Sequence, residues 1–326
     1  MSKCCIMGLG YIGLPTASIV AKSDHYVIGV DTNPSIVDTI NNGDVHFFEP
    51  GLEKTVKELV SLNKLKASLK PEPSDVFLIA VPTPFKDINK GIPEPDIQYV
   101  LNAAKTIAPY LKEGNLLIIE STCPVGTTEK LKLALENYVK CDLDKLHICY
   151  CPERVIPGSI LTELVTNSRV IGGLKPDDGK LAKQFYETFC QGEINLTDAR
   201  TAELVKLTEN TFRDINIAFA NELSIISDHL KVDINELIYL SNQHPRVNIL
   251  KPGCGVGGHC IAIDPWFLAS ALPGNTHLIQ TARKVNNEKV SWVIKKIEER
   301  SKIFERENGR FPRIGCFGLT FKPNVD

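Results

Sequence analysis

The chain has 326 residues, of which 43% are hydrophobic, 23% charged and 7% aromatic. This composition is typical of folded globular proteins and excludes collagen-like and disordered classes, and the length predicts about two domains. With 37 basic and 39 acidic side chains, the formal net charge is −2. No overall positive charge is therefore present to bind nucleic acid or an anionic membrane, so we expect neither partner and favour a small molecule.

Apolar runs and cysteines indicate the compartment. No apolar run approaches the roughly 20 residues needed to span a bilayer, and the N-terminus lacks a cleavable signal pattern. We therefore predict a cytoplasmic protein whose 10 cysteines stay reduced. His147, Cys149 and Cys151 alternate along one predicted strand, but residues so spaced have too little reach for a closed zinc site, and CxxC is absent from the sequence. We expect no metal and interpret these cysteines as buried strand residues.

The first part of the chain alternates short apolar runs with amphipathic stretches, which predicts an α/β fold with a Rossmann-type doubly wound parallel sheet. The predicted strands are residues 4–7, 26–31, 76–81, 116–120, 147–151, 169–172 and 193–196. The helical patterns between them include residues 34–42, 97–111 and 178–189. We predict that residues 1–196 form a dinucleotide-binding domain.

The pattern changes at residues 201–230, where apolar residues recur at helical spacing without proline or glycine. A single helix of about 30 residues follows, and such a helix with more than one apolar face usually forms a domain or subunit interface. Further helices are predicted at residues 233–241 and 276–306, so residues 197–307 should form an all-α central domain. Residues 308–326 contain a new apolar run from Arg313 and a glycine turn. We expect them to be the truncated start of a second Rossmann-like domain.

A glycine motif follows the first predicted strand. Its G-x-G-x-x-G sequence contains Gly8, Gly10, Tyr11, Ile12 and Gly13. Such glycines allow a tight turn and bring a pyrophosphate close to a helix N-terminus. Asp31 ends the second strand, where a carboxylate can bind ribose hydroxyls, and no arginine follows closely to receive a 2′-phosphate. These features favour NAD over NADP, with an ordinary glycine turn as the alternative.

Polar residues follow several other predicted strands. Because ligands bind beyond the carboxyl ends of parallel strands, Thr83 and Thr122 are placed to contact cofactor or substrate. Each threonine could equally cap a following helix. Glu153 and Arg154 would bring a carboxylate and a guanidinium to the same edge of the sheet, and a surface salt bridge is the alternative interpretation.

The central domain carries two further candidates. Lys206 and Asn210 lie four residues apart near the start of the long helix, where they could polarise an oxygen together, although most helix lysines are simply solvated. In the glycine-rich segment from residue 253, Cys260 is a candidate nucleophile, and Asp264 follows four residues later. A structural cysteine is the usual alternative. A nucleotide cofactor and a reactive cysteine together suggest oxidation past the aldehyde, because a thiolate can trap the aldehyde for a second oxidation.

Motifs along the whole chain resemble those of the UDP-sugar and GDP-sugar 6-dehydrogenases. They are GLGYIGLPTA, IAVPTPFK, ESTCPVGTTEK, YCPERVIPG, TAELVKLTENTFRDINIAFANEL, HPRVNILKPGCGVGGHCIAIDPWF and GLTFKP. The resemblance implies a four-electron oxidation of the sugar C6 hydroxyl to a carboxylate with two NAD. The HPRVNI and GGHCIAIDPWF forms favour UDP-N-acetylmannosamine as substrate. Ile263 and Pro157 stand where UDP-glucose enzymes carry lysine and glutamate, which argues against UDP-glucose. UDP-N-acetylglucosamine and UDP-glucose are the lesser alternatives.

The resemblance also implies roles for single residues. Cys260 would carry the thiohemiacetal and the thioester, and Lys206 and Asn210 would stabilise oxyanions. Glu153 would be the general base, and Thr122 and Asp264 would position water. The implied substrate contacts are Glu153, Arg154, Lys206, Asn210, Arg246, Asn248, Gly257, His259, Phe321 and Lys322. Arg246 would reach the neighbouring subunit's site, and the long helix would form the core of a homodimer.

Two other functional classes remain possible for this chain. The β-hydroxyacid dehydrogenases also join a glycine-rich NAD domain to a long helix with a lysine and an asparagine, but their two-electron reaction does not use a cysteine such as Cys260. The third possibility is an inactive NAD-binding remnant, because the family continues past Asp326 into a domain that binds the uridine diphosphate.

Overall fold

The computed structural model describes residues 2–86, 91–258 and 260–317. These residues divide into two compact units. The first contains residues 2–86 and 95–206, and the second contains residues 91–94, 207–258 and 260–317. The implied substrate contacts His259, Phe321 and Lys322 lie outside the described residues.

The first unit contains an eight-stranded sheet in the order β3-β2-β1-β4-β5-β6-β7-β8. The strands are β1 (Lys3–Met7), β2 (Tyr26–Val30), β3 (Leu65–Ser68), β4 (Val76–Ile79), β5 (Leu116–Ile119), β6 (His147–Tyr150), β7 (Arg169–Gly173) and β8 (Ile194–Asp198). All neighbouring strands are parallel except β6 and β7. The chain moves outward from β1 to β3 and then returns to β4 on the other side of β1. Ligands bind at such a switch point in open α/β sheets.

Helices cover both faces of this sheet, which explains why its central strands are apolar throughout. The helices of the first unit are α1 (Gly13–Lys22), α2 (Pro34–Asn41), α3 (Leu52–Ser61), α4 (Gln98–Ile107), α5 (Thr127–Leu135), α6 (Ile160–Thr166) and α7 (Pro176–Tyr186). One core contains side chains from α1, α2, α3, α6 and α7, and the other contains side chains from α4 and α5. The predicted Rossmann-type sheet is therefore confirmed.

Two features of the sheet differ from what the sequence predicts. Strand β3 lies at the sheet edge and alternates buried and exposed residues, with Lys66 exposed, so it lacks the apolar run that marks a central strand. The sequence predicts a strand at residues 169–172 within a parallel sheet, but this strand, β7, runs antiparallel to β6. A strand that is buried on both faces has the same apolar pattern in either direction, so composition cannot distinguish the two arrangements.

The second unit is helical in the residues that the structure describes. Its helices are the later turns of α8 (Ala199–Leu230), together with α9 (Ile234–Ser241), α10 (Asp264–Ala271) and α11 (His277–Asn308). The two predicted long helices are confirmed, and each has 32 residues. None of the described helices is long and apolar enough to cross a membrane.

Residues 313–317, where a strand was expected to begin, form neither helix nor strand. The side chains of Ile314 and Phe317 are exposed. A strand needs a neighbour for its backbone hydrogen bonds, and the pairings of the described sheet do not include these residues.

Candidate functional site

The glycine turn between β1 and α1 is tightly packed. Gly8 has a φ of +90°, and a Cβ there would lie 2.6 Å from the carbonyl oxygen of Ala80. A Cβ on Gly13 would lie 1.8 Å from the carbonyl oxygen of Gly8. A Cβ on Gly10 would meet no described atom within 4 Å, so a ligand can approach the backbone at this glycine.

The N-terminus of α1 and the carboxylate of Asp31 lie beside this turn. The first turn of α1 has no acidic residue, and none of the described side chains caps it. Asp31 accepts hydrogen bonds from the backbone N–H of Leu9 at 3.0 Å and of Asn33 at 2.9 Å, which fixes its orientation. A carboxylate offers about four acceptor sites, so Asp31 can also bind ribose hydroxyls. A helix N-terminus open to an anion and an oriented acid suit a dinucleotide.

Two other predicted cofactor contacts border the same turn. Tyr11 is 41% exposed, and its ring centroid lies 4.3 Å from that of Phe47. Ile12 is the residue before the first helical residue of α1.

The two glycines without a positive φ provide a matched pair of substitutions. We expect Gly13→Ala to destabilise the chain and to abolish NAD binding, because the new methyl group would overlap the backbone of Gly8. Gly10→Ala should retain the melting temperature, because its Cβ would meet open space. It should weaken NAD binding by about tenfold or more, because the methyl group would occupy the approach to the pyrophosphate. Calorimetric titration with NAD and thermal unfolding measure the two effects, and equal melting temperatures for both variants would contradict this account.

The loops after β4 and β5 are joined to each other by hydrogen bonds. The Thr83 hydroxyl donates to the carbonyl oxygen of Thr122 at 2.7 Å, and the Ser121 hydroxyl donates to that of Val81 at 2.7 Å. Thr83 and Thr122 are therefore brought together at the strand ends. The first residues of α4 and α5 are Gln98 and Thr127, so neither threonine is a helix cap.

Helix α5 is capped instead by a residue of α8 that the sequence analysis did not select. The buried Glu203 carboxylate accepts from the backbone N–H of Gly126 at 2.5 Å, from that of Thr128 at 2.8 Å and from the Thr128 hydroxyl at 2.7 Å. Desolvation raises the pKa of Glu203, and these donors act against that shift. The only feature of the sequence that points to Glu203 is that this acid lies three residues before Lys206 on the same helix.

Glu153 lies in a buried environment after β6. One of its carboxylate oxygens accepts from the backbone N–H of Arg154 at 2.6 Å. The other, Oε2, is buried and has no hydrogen-bond donor among the described residues, but lies 3.8 Å from Nη1 of Arg169. The Arg154 guanidinium donates to the carbonyl oxygen of Ser168 at 3.0 Å. The surface salt bridge considered for Glu153 and Arg154 is therefore wrong, because the ionic partner of Glu153 is the buried Arg169.

Lys206 lies beside the same carboxylate-bearing segment. Its ammonium donates to the backbone carbonyl oxygen of Glu153 at 2.5 Å. Within the first unit, the structure thus brings together Lys206 and Glu153, which were selected independently from the sequence.

In the second unit, Cys260 is followed closely by helix α10. Its backbone carbonyl oxygen accepts from the N–H groups of Ile263 at 3.0 Å and Asp264 at 2.8 Å, while its side chain is exposed. The structure contains no disulfide in the described part of the chain. Asp264 and Asn210 are both buried, and the Asn210 amide donates to the Asp264 carboxylate at 2.5 Å. Asn210 and Asp264, which the sequence suggested separately, are therefore in contact.

Side-chain amides hold the segment that precedes Cys260. The Asn216 amide donates to the carbonyl oxygen of Asn248 at 2.8 Å and accepts from the backbone N–H of Leu250 at 2.9 Å. The buried Asn221 accepts from the backbone N–H of Gly253 at 2.9 Å. Asparagine is a poor helix former, so the presence of Asn216 and Asn221 within the predicted long helix was the available signal in the sequence. The other implied contacts of this segment, Arg246 and Gly257, are exposed.

The described residues include no group of three or more side chains that could hold a metal ion. The chain matches two models of the UDP-glucose/GDP-mannose dehydrogenase family, that of the NAD binding domain at residues 2–190 and that of the central domain at residues 200–288. These regions contain the glycine turn and the segment with Cys260.

Comparison with individual curated proteins and solved structures indicates the same family. The chain is 51% identical to UDP-N-acetyl-D-mannosamine dehydrogenase of Campylobacter jejuni, over 100% of this chain and 80% of that protein. It is 50% identical to NDP-N-acetyl-D-galactosaminuronic acid dehydrogenase of Ralstonia nicotianae, over 98% of this chain and 76% of that protein. The solved structure of UDP-D-ManNAc dehydrogenase from Pyrococcus horikoshii has a TM-score of 0.87 and 42% identity, and the match covers 94% of this chain and 72% of that one.

The glycine turn, the oriented Asp31 and the match to the NAD binding domain model together identify NAD as the cofactor. The resemblance seen in the motifs is confirmed over both matched regions. The chain belongs to the UDP-glucose/GDP-mannose dehydrogenase family.

Proposed function

We propose that this chain oxidises the C6 hydroxyl of UDP-N-acetyl-D-mannosamine to a carboxylate in two successive two-electron steps. The substrate is supported by relatives of that name at about 50% identity. The four-electron outcome is supported above all by the exposed Cys260 thiol, which follows a glycine-rich segment and lies four residues before the first residue of α10.

The proposed covalent chemistry takes place on Cys260. Bound NAD supplies a hydride acceptor for each of the two oxidations. The thiol adds to the aldehyde carbon and gives a thiohemiacetal, whose oxidation, with loss of a hydride and a proton, leaves a thioester. Water then cleaves the C–S bond, releases the sugar carboxylate and restores the thiol. The sum is one sugar alcohol and one water converted to one carboxylate, with two NAD reduced.

Charged and polar groups of the chain would assist these steps. We assign Lys206 and Asn210 to stabilise the negative oxygen that develops at C6, because an ammonium and an amide N–H are suitable donors. Thr122 and Asp264 would position the hydrolytic water. The remaining implied contacts, Arg154, Asn248, Gly257, His259, Phe321 and Lys322, stay proposals for sugar-nucleotide binding.

Glu153 is proposed as the general base for hydrolysis. Its Oε2 atom is buried and lacks a hydrogen-bond donor among the described residues, so it retains lone pairs for a water proton. The Arg169 guanidinium lies 3.8 Å from this oxygen and places a positive charge beside it.

The proposed assembly is a homodimer formed through α8. Large apolar side chains at Phe212, Phe219, Ile226 and Leu230 of this helix are 64%, 52%, 46% and 62% exposed. Their spacing of seven, seven and four residues places them along one stripe of the helix. Arg246, which is exposed, would contact the substrate of the partner subunit.

The stoichiometry of NADH tests the proposed reaction. Purified chain with UDP-N-acetyl-D-mannosamine and excess NAD should give two NADH per sugar consumed, with little product from UDP-glucose, UDP-N-acetylglucosamine or UDP-N-acetylgalactosamine. One NADH per sugar would instead indicate a two-electron dehydrogenase. NAD binding without NADH from any sugar would support a cofactor-binding remnant. Sedimentation velocity on the same sample gives the oligomeric state, and a monomer would contradict the proposed dimer.

A further inference from the structure

The glycine-rich segment before Cys260 is held by one hydrogen bond. Residues 251–258 form neither helix nor strand and include four glycines, so their backbone has wide conformational freedom. Among the described residues, the only hydrogen bond that this segment makes joins the Gly253 N–H to Oδ1 of Asn221, at 2.9 Å. The Cys260 end is held by the turn into α10. The Gly253 end therefore depends on one side-chain amide of α8.

The Asn221 amide holds Gly253 in only one of its two orientations. A side-chain amide has an acceptor oxygen and a donor nitrogen at similar positions, so its shape alone does not select which of them faces a neighbour. If Nδ2 faced Gly253, two N–H donors would point at each other. The group on the other side of Asn221 must therefore select the orientation.

That group is Asn286 of α11. Both asparagines are 0% exposed, and Nδ2 of Asn221 donates to Oδ1 of Asn286 at 2.8 Å. Nδ2 of Asn286 donates in turn to Asp214, to its carboxylate Oδ1 at 2.8 Å and to its backbone carbonyl oxygen at 3.1 Å. An ionised carboxylate and a backbone carbonyl are acceptors only. Reversing Asn286 would therefore place its oxygen against two other oxygens.

The donors and acceptors of this network are ordered in one direction. Arg283 donates to the same carboxylate oxygen of Asp214, and Asn286 and Asn221 continue the order to the Gly253 N–H. The four side chains are at most 3% exposed, so little water is available to replace a lost partner. Unpaired polar groups are costly in such surroundings, which makes a reversed amide unfavourable at each step.

We propose that Asn286 is a positioning residue for the segment that carries Cys260: it fixes the orientation of Asn221, and Asn221 in turn holds the Gly253 N–H. This inference rests on the proposed function, in which the Cys260 thiol attacks the aldehyde carbon. Asn286 is buried and acts through Asn221. A segment held at both ends keeps the thiol in place for attack, whereas release at Gly253 would let the glycines move it.

Hydrogen exchange of residues 251–258, followed by mass spectrometry, tests the anchor without any activity. The wild-type chain should show one slowly exchanging amide, that of Gly253. Asn286→Leu keeps the branching of the side chain but removes its polar atoms, so this amide should exchange about two- to tenfold faster, the effect of one lost hydrogen bond. Asn287→Leu is the matched control on the next residue, whose side chain is exposed and accepts from Arg283. It should leave the rate unchanged. Equal rates in Asn286→Leu and the wild type would overturn the proposal.

A rescue variant tests whether orientation is what Asn286 supplies. Asn221→Asp has an acceptor oxygen in either orientation and does not need a neighbour to select one. The double variant Asn221→Asp/Asn286→Leu should therefore recover slow exchange at Gly253, which a repair of packing alone would not explain. Exchange as fast as in Asn286→Leu would contradict the inference. Thermal unfolding establishes that each variant is folded. If Asn286→Leu is not, Asn286→Ser, which is too short to reach Asn221, provides the same comparison.

The kinetic consequence is a selective loss of kcat. Asn286→Leu should lower kcat for NADH formation from UDP-N-acetyl-D-mannosamine by about tenfold or more, because a small misplacement of a reacting group is costly. The Kd for NAD, measured by calorimetry, should stay unchanged, because the glycine turn that binds NAD lies in the first unit. The double variant should recover most of kcat. An equal loss of kcat in Asn287→Leu would indicate a general structural effect and contradict the inference.

The exchange and kinetic measurements separate this inference from the proposed function. If the wild type forms no NADH from any nucleotide sugar, the proposed function fails, and hydrogen exchange still decides whether Asn286 holds Gly253 through Asn221. If the wild type forms two NADH per sugar and Asn286→Leu keeps the wild-type kcat although Gly253 exchanges faster, the inference alone fails.

Discussion

Replacing Cys260 with alanine is expected to stop formation of the sugar carboxylate while NAD binding is retained. The thiol is the atom on which the proposed thiohemiacetal and thioester form, and alanine offers no nucleophile in its place. Loss of a covalent nucleophile typically costs about 10³-fold or more in kcat. NADH per sugar should fall from two to at most one, because any aldehyde formed could not be trapped for the second oxidation.

The structure also indicates that Cys260→Ala should fold normally. The Cys260 side chain is exposed, so its loss leaves no cavity, and the turn into α10 is held by the backbone carbonyl of Cys260, which alanine keeps. Cys254→Ala is a matched control, because Cys254 is also exposed and lies in the same glycine-rich segment. It should retain both NADH equivalents. Product analysis by mass spectrometry distinguishes aldehyde from carboxylate, and undiminished carboxylate from Cys260→Ala would refute the covalent mechanism.

Removing Arg283 is expected to cause the largest loss of stability in the second unit. Arg283 of α11 is 3% exposed, and its Nη1 atom donates at 2.6 Å to the carboxylate of Asp214, which is 0% exposed on α8. Burial raises the pKa of Asp214, and the Arg283 charge opposes that shift. Arg283→Met would leave the carboxylate buried and without its cation, which costs about 3–5 kcal/mol.

The double variant Asp214→Leu/Arg283→Met tests whether the lost charge is the cause. Replacing both partners with apolar groups should restore much of the melting temperature, because no buried charge then remains uncompensated. Lys284→Met is a control on the next residue of α11, where the ammonium is exposed and lies 3.7 Å from Glu288. Its effect should stay within about 1 kcal/mol. If Lys284→Met lowered the melting temperature as much as Arg283→Met, the loss of stability would depend on the position along the helix and not on the buried ion pair.

The sequence predicted the elements whose signal is local. Strands such as β1 and β5 are continuous apolar runs, and α8 is a long periodic pattern, so each can be read from neighbouring residues. The glycine turn between β1 and α1 was also predicted, because the motif glycines lie close together in the sequence and adopt the turn that their spacing predicts. The domain limits at residues 197 and 307 stay a prediction.

Contacts between distant parts of the chain could not be predicted in this way. Glu153 was selected because it follows a strand, but its burial and its ion pair with Arg169 depend on β7, which lies beside β6 only in the folded sheet. Glu120 was noted only as the end of a strand, and the hydroxyl that binds it comes from α7, 66 residues later. Asn210 and Asp264 were chosen for separate reasons, and only the fold reveals their contact.

Helix α8 carries two contacts to the sheet edge that lie three residues apart. Glu203 holds the start of α5, and Lys206 holds the backbone at Glu153. Since a helix rotates by about 100° per residue, inserting or deleting one residue between them would turn one of the two side chains away from its partner. The number of residues in this stretch is therefore constrained even where their identity is not, so natural variation here should consist of substitutions without changes in length.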